Sequence, residues 1–160
     1  MYYKAAASSY GINLSANFSF NFKDITMCAW GYRVVDTNYS NIFTIGNGSA
    51  SFMELRFKEG TANNGAIKVL TTTSNLWPWQ NNTWCFLTAT LKDNQGKAYA
   101  NGANIATING TNNFSTYANF RILGATCWGD TGGAAYVTDC RIYDYALIDE
   151  DILEIYNRGP

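Results

Sequence analysis

Two tryptophans flank a proline in Leu76-Trp77-Pro78-Trp79-Gln80-Asn81-Asn82, and this run is well equipped to hold a ligand. An indole plane accepts the C–H face of a sugar, and the amides of Gln80 and Asn81 can hydrogen-bond its hydroxyls. Proline fixes φ and donates no hydrogen bond, so the segment reads as a loop or sheet edge, the kind of place where rigid scaffolds carry recognition. Trp128 with Asp130, and Tyr39 with Asn38 and Asn41, repeat the pairing in weaker form. The candidate ligand-binding residues are therefore Trp77, Trp79, Gln80, Asn81, Trp128 and Asp130. A tryptophan folded back over the edge of a core accounts for the same residues equally well, and both readings stay open at this stage.

Catalytic chemistry is harder to assemble. The chain contains no histidine, which removes Ser-His-Asp and Cys-His nucleophilic arrangements and histidine-based metal sites. Glycoside hydrolysis needs two carboxylates about 5 to 9.5 Å apart in a cleft. Outside the terminal segment only Glu54, Glu59 and Asp93 are available for that role. Glu150 and Glu154 are spaced for one face of a terminal helix, where solvation is the ordinary role. Gly132-Gly133 is not followed by a helix, so no phosphate loop is expected. The expectation is a protein that is not an enzyme and needs no cofactor. Were a structural calcium present, Asp130 and Asp139 would hold it with loop carbonyls.

Charged residues make up 14% of the 160 residues, against the usual ~25%. The net charge is −1, so no basic field draws nucleic acid or anionic lipid. Polar surface comes instead from amides and hydroxyls: 19 asparagines accompany 16% aromatics, the mixture that sugars bind. No apolar run is long enough to span a membrane, and Met1-Tyr2-Tyr3-Lys4 does not begin a secretion signal. The expected partner is a surface glycan or host-cell polysaccharide, with other subunits of a larger assembly as an additional partner. The expected location is extracellular, at a cell surface or on a virion.

These residues need a scaffold, and period-two patterning supplies one. Segments 17–22, 25–34, 42–45, 51–57, 66–70, 85–91, 97–100, 103–108, 120–123 and 136–143 read as short strands, which predicts one domain over 1–160: an all-β, two-sheet antiparallel sandwich. In 85–91, Cys85, Leu87, Ala89 and Leu91 alternate with Phe86, Thr88 and Thr90, so the first set should face the core. Asn101-Gly102 suits a type I′ hairpin turn. A hairpin joining 122–127 to 136–143 would set Cys140 opposite Ile122. One helix is expected over about 149–157, with Ile148, Ile152, Ile155 and Tyr156 as its apolar stripe and Asp149 as its cap. Cys28, Cys85, Cys127 and Cys140 match no zinc spacing and read as reduced, mostly buried thiols.

Arg141-Ile142-Tyr143-Asp144-Tyr145-Ala146-Leu147, followed by Asp149-Glu150-Asp151-Ile152 and Tyr156, resembles the closing signature of the laminin-G-like and pentraxin-like domains of the concanavalin A-like lectin/glucanase superfamily. Two earlier segments are similar in the expected order: Asp24 to Tyr32, and Trp84 to Thr90 leading to Lys97 through Gly102. The resemblance covers roughly 24–160 and implies a jelly-roll sandwich with one short C-terminal helix. It also implies a non-catalytic, lectin-like recognition module, with a structural or protein-interaction module as the alternative. Trp84, Ile142 and Leu147 are motif residues expected to pack. Pentraxin-like domains pair the cysteine at Cys28 with one at the position of Thr88. They also place an acidic calcium run after Ile122-Leu123-Gly124, where this chain has Ala125-Thr126-Cys127-Trp128, so that calcium site is not expected.

Overall fold

The computed structural model describes residues 3–5, 12–15, 23–34, 40–46, 51–58, 64–70, 72–73, 77–110, 119–122 and 135–160. Its strands are β1 (Tyr3–Ala5), β2 (Ile12–Ser15), β3 (Asp24–Arg33), β4 (Ser40–Gly46), β5 (Ser51–Lys58), β6 (Asn64–Val69), β7 (Thr72–Thr73), β8 (Trp77–Pro78), β9 (Trp84–Lys92), β10 (Gln95–Ala100), β11 (Ala103–Asn109), β12 (Asn119–Ile122) and β13 (Ala135–Tyr143), followed by helix α1 (Asp149–Asn157). One sheet runs β1-β13-β3-β9-β10-β11. The facing sheet runs β2-β12-β4-β5-β6-β7, with β8 added to β6. Among the described residues every pairing is antiparallel, giving the two-sheet sandwich that the patterning indicated, in the jelly-roll form with a terminal helix that the resemblance implied. The segment 17–22 read as a strand lies outside the described residues. Among the described residues no helix is long and apolar enough to cross a membrane.

The inner core forms where alternate side chains of the two sheets meet. Met27 and Ala29 of β3 and Leu87, Ala89 and Leu91 of β9 pack against residues such as Phe43, Leu55, Phe57, Ile67 and Val69 of the facing sheet. Period-two alternation alone would leave the other side of β9 wet, yet Phe86, Thr88 and Thr90 are also buried. A second apolar cluster explains this: Cys28, Trp30, Phe86 and Tyr99 on the outer face of the six-stranded sheet lie beneath Leu147, Ile152 and Ile155. The helix therefore acts as a third layer. Complete burial of each such aliphatic side chain contributes about 1.5–3 kcal/mol.

Local chemistry fixes how that layer lands. Thr26 Oγ1 donates to the carbonyl of Tyr145 and accepts from the Leu147 amide, both at 2.9 Å, which pins the approach to the helix onto β3. Asn101 and Gly102 adopt φ of 50° and 79°, as the type I′ turn requires. The Asn101 side-chain oxygen also accepts from the Phe86 amide at 3.0 Å. A Cβ at Gly102 would lie 3.1 Å from Leu153 and Tyr156, so the glycine also lets α1 approach the hairpin.

Three expectations are corrected. β12 and β13 belong to different sheets, so Ile122 does not pair with Cys140, and 123–127 lie outside the described residues; Ile122 and Cys140 both turn toward the inner core, from opposite sides of it. Ile148 is 59% exposed and leaves the apolar stripe, because Leu147 takes the place beneath the helix. Asp149 does not cap α1: Ile148 is the N-cap residue and makes no side-chain cap bond. The Asp149 carboxylate reaches β10 instead, accepting from Lys97 Nζ at 2.9 Å and from the Tyr99 hydroxyl at 2.8 Å.

Candidate functional site: an aromatic row at one end of the sandwich

At the end of the six-stranded sheet, Tyr136 of β13, Tyr32 of β3 and Trp84 of β9 are direct cross-strand partners. They project to the outer face, because Trp84 adjoins the outer cluster and register partners share a side of the sheet. Tyr32 lies 5.3 Å from Trp84 and 5.7 Å from Tyr136 between ring centroids, tilted by 57° and 65°. All three are half-buried, so each keeps aromatic surface in contact with solvent. The row continues inward to Trp30, whose ring stacks on Tyr156 of the helix at 5.6 Å and is closed off from solvent. The solvent-accessible part of the row is therefore the outer three rings.

Amides gather at the end of this row. The Asn82 amide donates to the Arg33 carbonyl at 2.8 Å, which brings the turn 80–83 up against the end of β3, and Gln80, Asn81, Asn82 and Thr83 are all exposed there. Arg33 itself is 1% exposed and points inward. Its guanidinium donates to the carbonyls of Phe57 and Trp79 at 3.1 and 3.0 Å, and to Asn81 Oδ1. The turn is thus held by a buried cation, while its outward amides remain beside Trp84.

The residues expected to bind a ligand separate. Trp79 is 4% exposed and packs edge-on to Phe57 at 5.1 Å. Its ring belongs to the inner core and offers no face to a sugar: Trp79 is a packing residue, its carbonyl held by one bond from Arg33. Trp77 and Pro78 form β8, an edge strand on β6, and the Trp77 side chain lies outside the described ones. Gln80 and Asn81 stay at the surface, with Asn81 engaged by Arg33. Trp128, Asp130, Tyr39, Asn38 and Cys127 lie outside the described residues. Trp84, read from the sequence as packing, proves to be half-buried, and Tyr32 and Tyr136 join it across β3 and β13. The available signal was aromatic residues at the strand ends of three segments; only the strand register aligns them.

The carboxylates have other engagements. Asp139, at a bulge with φ of 52°, holds Arg141 through two bonds of 2.6 and 2.7 Å. Among the described residues no cluster of three His, Cys, Asp or Glu side chains is placed to hold a metal ion. Glu54 is 0% exposed on β5 of one sheet and paired to Arg56, whereas Asp93 occupies the β9–β10 turn of the other sheet. Glu59 lies outside the described residues. Cys28, Cys85 and Cys140 are free thiols. Burial pushes the Cys28 and Cys140 thiols up to about 12, so both are neutral at physiological pH.

A laminin-G family model, described as the concanavalin A-like lectin/glucanases superfamily, matches residues 7–153. The chain belongs to that superfamily. Among solved structures, Trypanosoma rangeli sialidase superposes with a TM-score of 0.69 at 17% identity, covering 83% of this chain and 22% of the sialidase. Botulinum neurotoxin type C, whose cell entry depends on interaction with two ganglioside molecules, superposes at 0.63 with 13% identity, over 87% of this chain and 36% of that one. The receptor binding domain of the mosaic neurotoxin serotype C/D gives 0.64 at 17% identity, over 86% and 37%. This superfamily member thus spans only about a fifth to two fifths of those larger chains. At such identities the likeness concerns the fold. No curated protein matches the chain in sequence.

Proposed function

We propose that this laminin-G-like domain is a non-catalytic glycan-recognition module whose contact surface is the Tyr136–Tyr32–Trp84 row with the amides of turn 80–83. The observation that carries the reading is the row itself: three half-exposed rings in adjacent register beside neutral hydrogen-bonding groups. Sugars need that combination, since their C–H faces pack on rings and their hydroxyls pair with amides. The fold shared with a ganglioside-dependent neurotoxin supports the reading, as do the separate positions of Glu54, paired to Arg56 within one sheet, and Asp93, in a turn of the other. Its place of action is an extracellular, cell-surface or virion setting where such glycans are met.

A glycan array probed with the wild-type chain and with Tyr136→Ala and Trp84→Ala variants tests this. Each lost ring is expected to weaken binding about tenfold, the equivalent of roughly 1.4 kcal/mol. Tyr136→Ala should do so with little change in melting temperature. Trp79→Ala should behave oppositely, costing about 3–5 kcal/mol of stability. An array without binders at millimolar sensitivity, or one whose binders are indifferent to both ring variants, would overturn the proposal. The alternative, an assembly module, draws on the exposed Tyr145, Ile148 and Leu153 at 51, 59 and 47%. Light scattering that finds a concentration-independent oligomer would favour it.

A further inference from the structure

A cleft of about 390 Å³ opens on the outer face of the six-stranded sheet, at the opposite end of β9 from Trp84. That volume falls within the range of ~300–1,000 Å³ usual for small-molecule sites. Strand residues Lys92, Gln95 and Lys97 line it as a floor, Leu147 and Ile148 from the approach to the helix line it as a wall, and Glu150 is also part of the lining. The floor is polar because these outward positions of β9 and β10 lie beyond the apolar cluster that the helix covers. The wall is aliphatic because Thr26 pins the 145–147 backbone to β3, leaving Ile148 standing beside the polar floor.

The groups facing this cleft are not equally committed. Lys97 is taken by Asp149, and Gln95 gives its amide hydrogen to Asn109 Oδ1, leaving its own oxygen as an acceptor. Lys92 and Glu150 form no ion pair and no side-chain hydrogen bond among the described residues. The lining therefore offers a donor, two acceptors and a hydrocarbon wall. Its two lysines are balanced by the two carboxylates of Asp149 and Glu150.

We propose that this cleft is a second ligand site, built for one residue of a neutral glycan and separate from the aromatic row. A pyranose has hydroxyls that both donate and accept, matching Glu150, Gln95 and Lys92, and a C–H face suited to Leu147 and Ile148. The balanced charge gives a sulfate or carboxylate no net attraction, and a purely apolar ligand would leave the floor unpaired. Lys92 is eight residues along β9 from Trp84, about 27 Å at the usual rise per residue. No single sugar can reach both sites, so they engage separate residues of a polysaccharide or separate chains, and avidity then adds to two weak affinities.

Amide chemical shifts of the nitrogen-labelled full chain test this, read during titration with methyl β-D-galactopyranoside, methyl α-D-glucopyranoside, methyl α-D-mannopyranoside and, separately, sodium sulfate, each to about 50 mM so that millimolar affinities register. At least one glycoside is expected to shift amides in 90–97 and 146–150, in the wild type and equally in Trp84→Ala. A Lys92→Ala/Glu150→Ala variant should weaken that response at least about fivefold; both side chains are exposed, and the dispersion of the spectrum reports whether the variant is folded. The proposal is overturned if no glycoside shifts these amides, if sulfate alone shifts them, if the double variant responds like the wild type, or if Trp84→Ala removes the response. Shifts around Tyr32, Trp84 and Tyr136 appear in the same spectra, so failure of either site is seen independently of the other.

Discussion

Cys28 and Thr88 occupy facing positions of β3 and β9, which decides the fate of a cysteine whose counterpart in pentraxin-like domains is bridged. Cross-strand partners have Cα atoms about 4.5–5.5 Å apart, within the range a disulfide tolerates. The missing partner is thus a matter of one side chain, and Thr88 Oγ1 is itself buried without a hydrogen-bond partner. Thr88→Cys should close a bridge to Cys28 under oxidising conditions. The bridge should stabilise the fold by about 2–4 kcal/mol, because the closed loop is long, and removing an unpaired hydroxyl costs nothing. Intact mass would record the loss of two hydrogens, and melting with and without reductant would give the stability. A variant that stays reduced in oxidant, or whose melting temperature ignores reductant, contradicts the register.

Individual elements were legible in the sequence to different depths. Nine of the ten segments read as strands appear among β3, β4, β5, β6, β9, β10, β11, β12 and β13, because Val, Ile, Phe and Thr alternate there with turn residues between. Brief strands such as β7 and β8 carry no period to read. The double-sided burial of β9 was hidden for a different reason: Phe86 and Thr88 look like a second face until Ile152 and Ile155 are laid over them, and that is a long-range event. The same holds for the aromatic row, in which Trp84 and Tyr136 lie 52 and 104 positions beyond Tyr32 and meet it only through register. Asp149 shows how the helix is tied down. The bond from Lys97, then that from Tyr99, hold its carboxyl below the ordinary value of 3.8. A depressed carboxyl contributes stability above its unfolded value that is lost as pH falls through the folded one. The attachment of α1 to β10 should therefore loosen only below about pH 3.8, and Asp149→Asn should remove that dependence while leaving the fold intact. Hydrogen exchange of the helix amides against pH would show it; exchange that rises near neutrality, or a variant with an unchanged acid response, would exclude this link.

At the scale of the molecule, the two sheets are joined at one end by a charge rather than by a hydrocarbon contact. Arg33 starts on β3 of one sheet, donates to the carbonyl of Phe57 on β5 of the other, and with its remaining donors holds Trp79 and Asn81 of the connecting turn. Trp79 then fills the end of the inner core against Phe57, and the turn presents its amides beside Trp84. Packing, inter-sheet closure and the proposed contact surface thus depend on one buried guanidinium, a role that needs partners 24, 46 and 48 positions away and so leaves no local signal in the sequence. Arg33→Met keeps much of the volume but leaves two buried carbonyls without their donor, at about 1–3 kcal/mol each. The expected loss is roughly 3 kcal/mol, which for a chain of this size lowers the melting temperature by about 6–12 °C. Arg33→Lys should recover little of it, because an ammonium cannot reproduce the fork that reaches three acceptors at once. Denaturant unfolding of both variants, followed by the same glycan array, separates the consequences: stability and glycan response should fall together in each. A variant that loses stability yet binds as the wild type does would show that the turn is positioned by something other than Arg33.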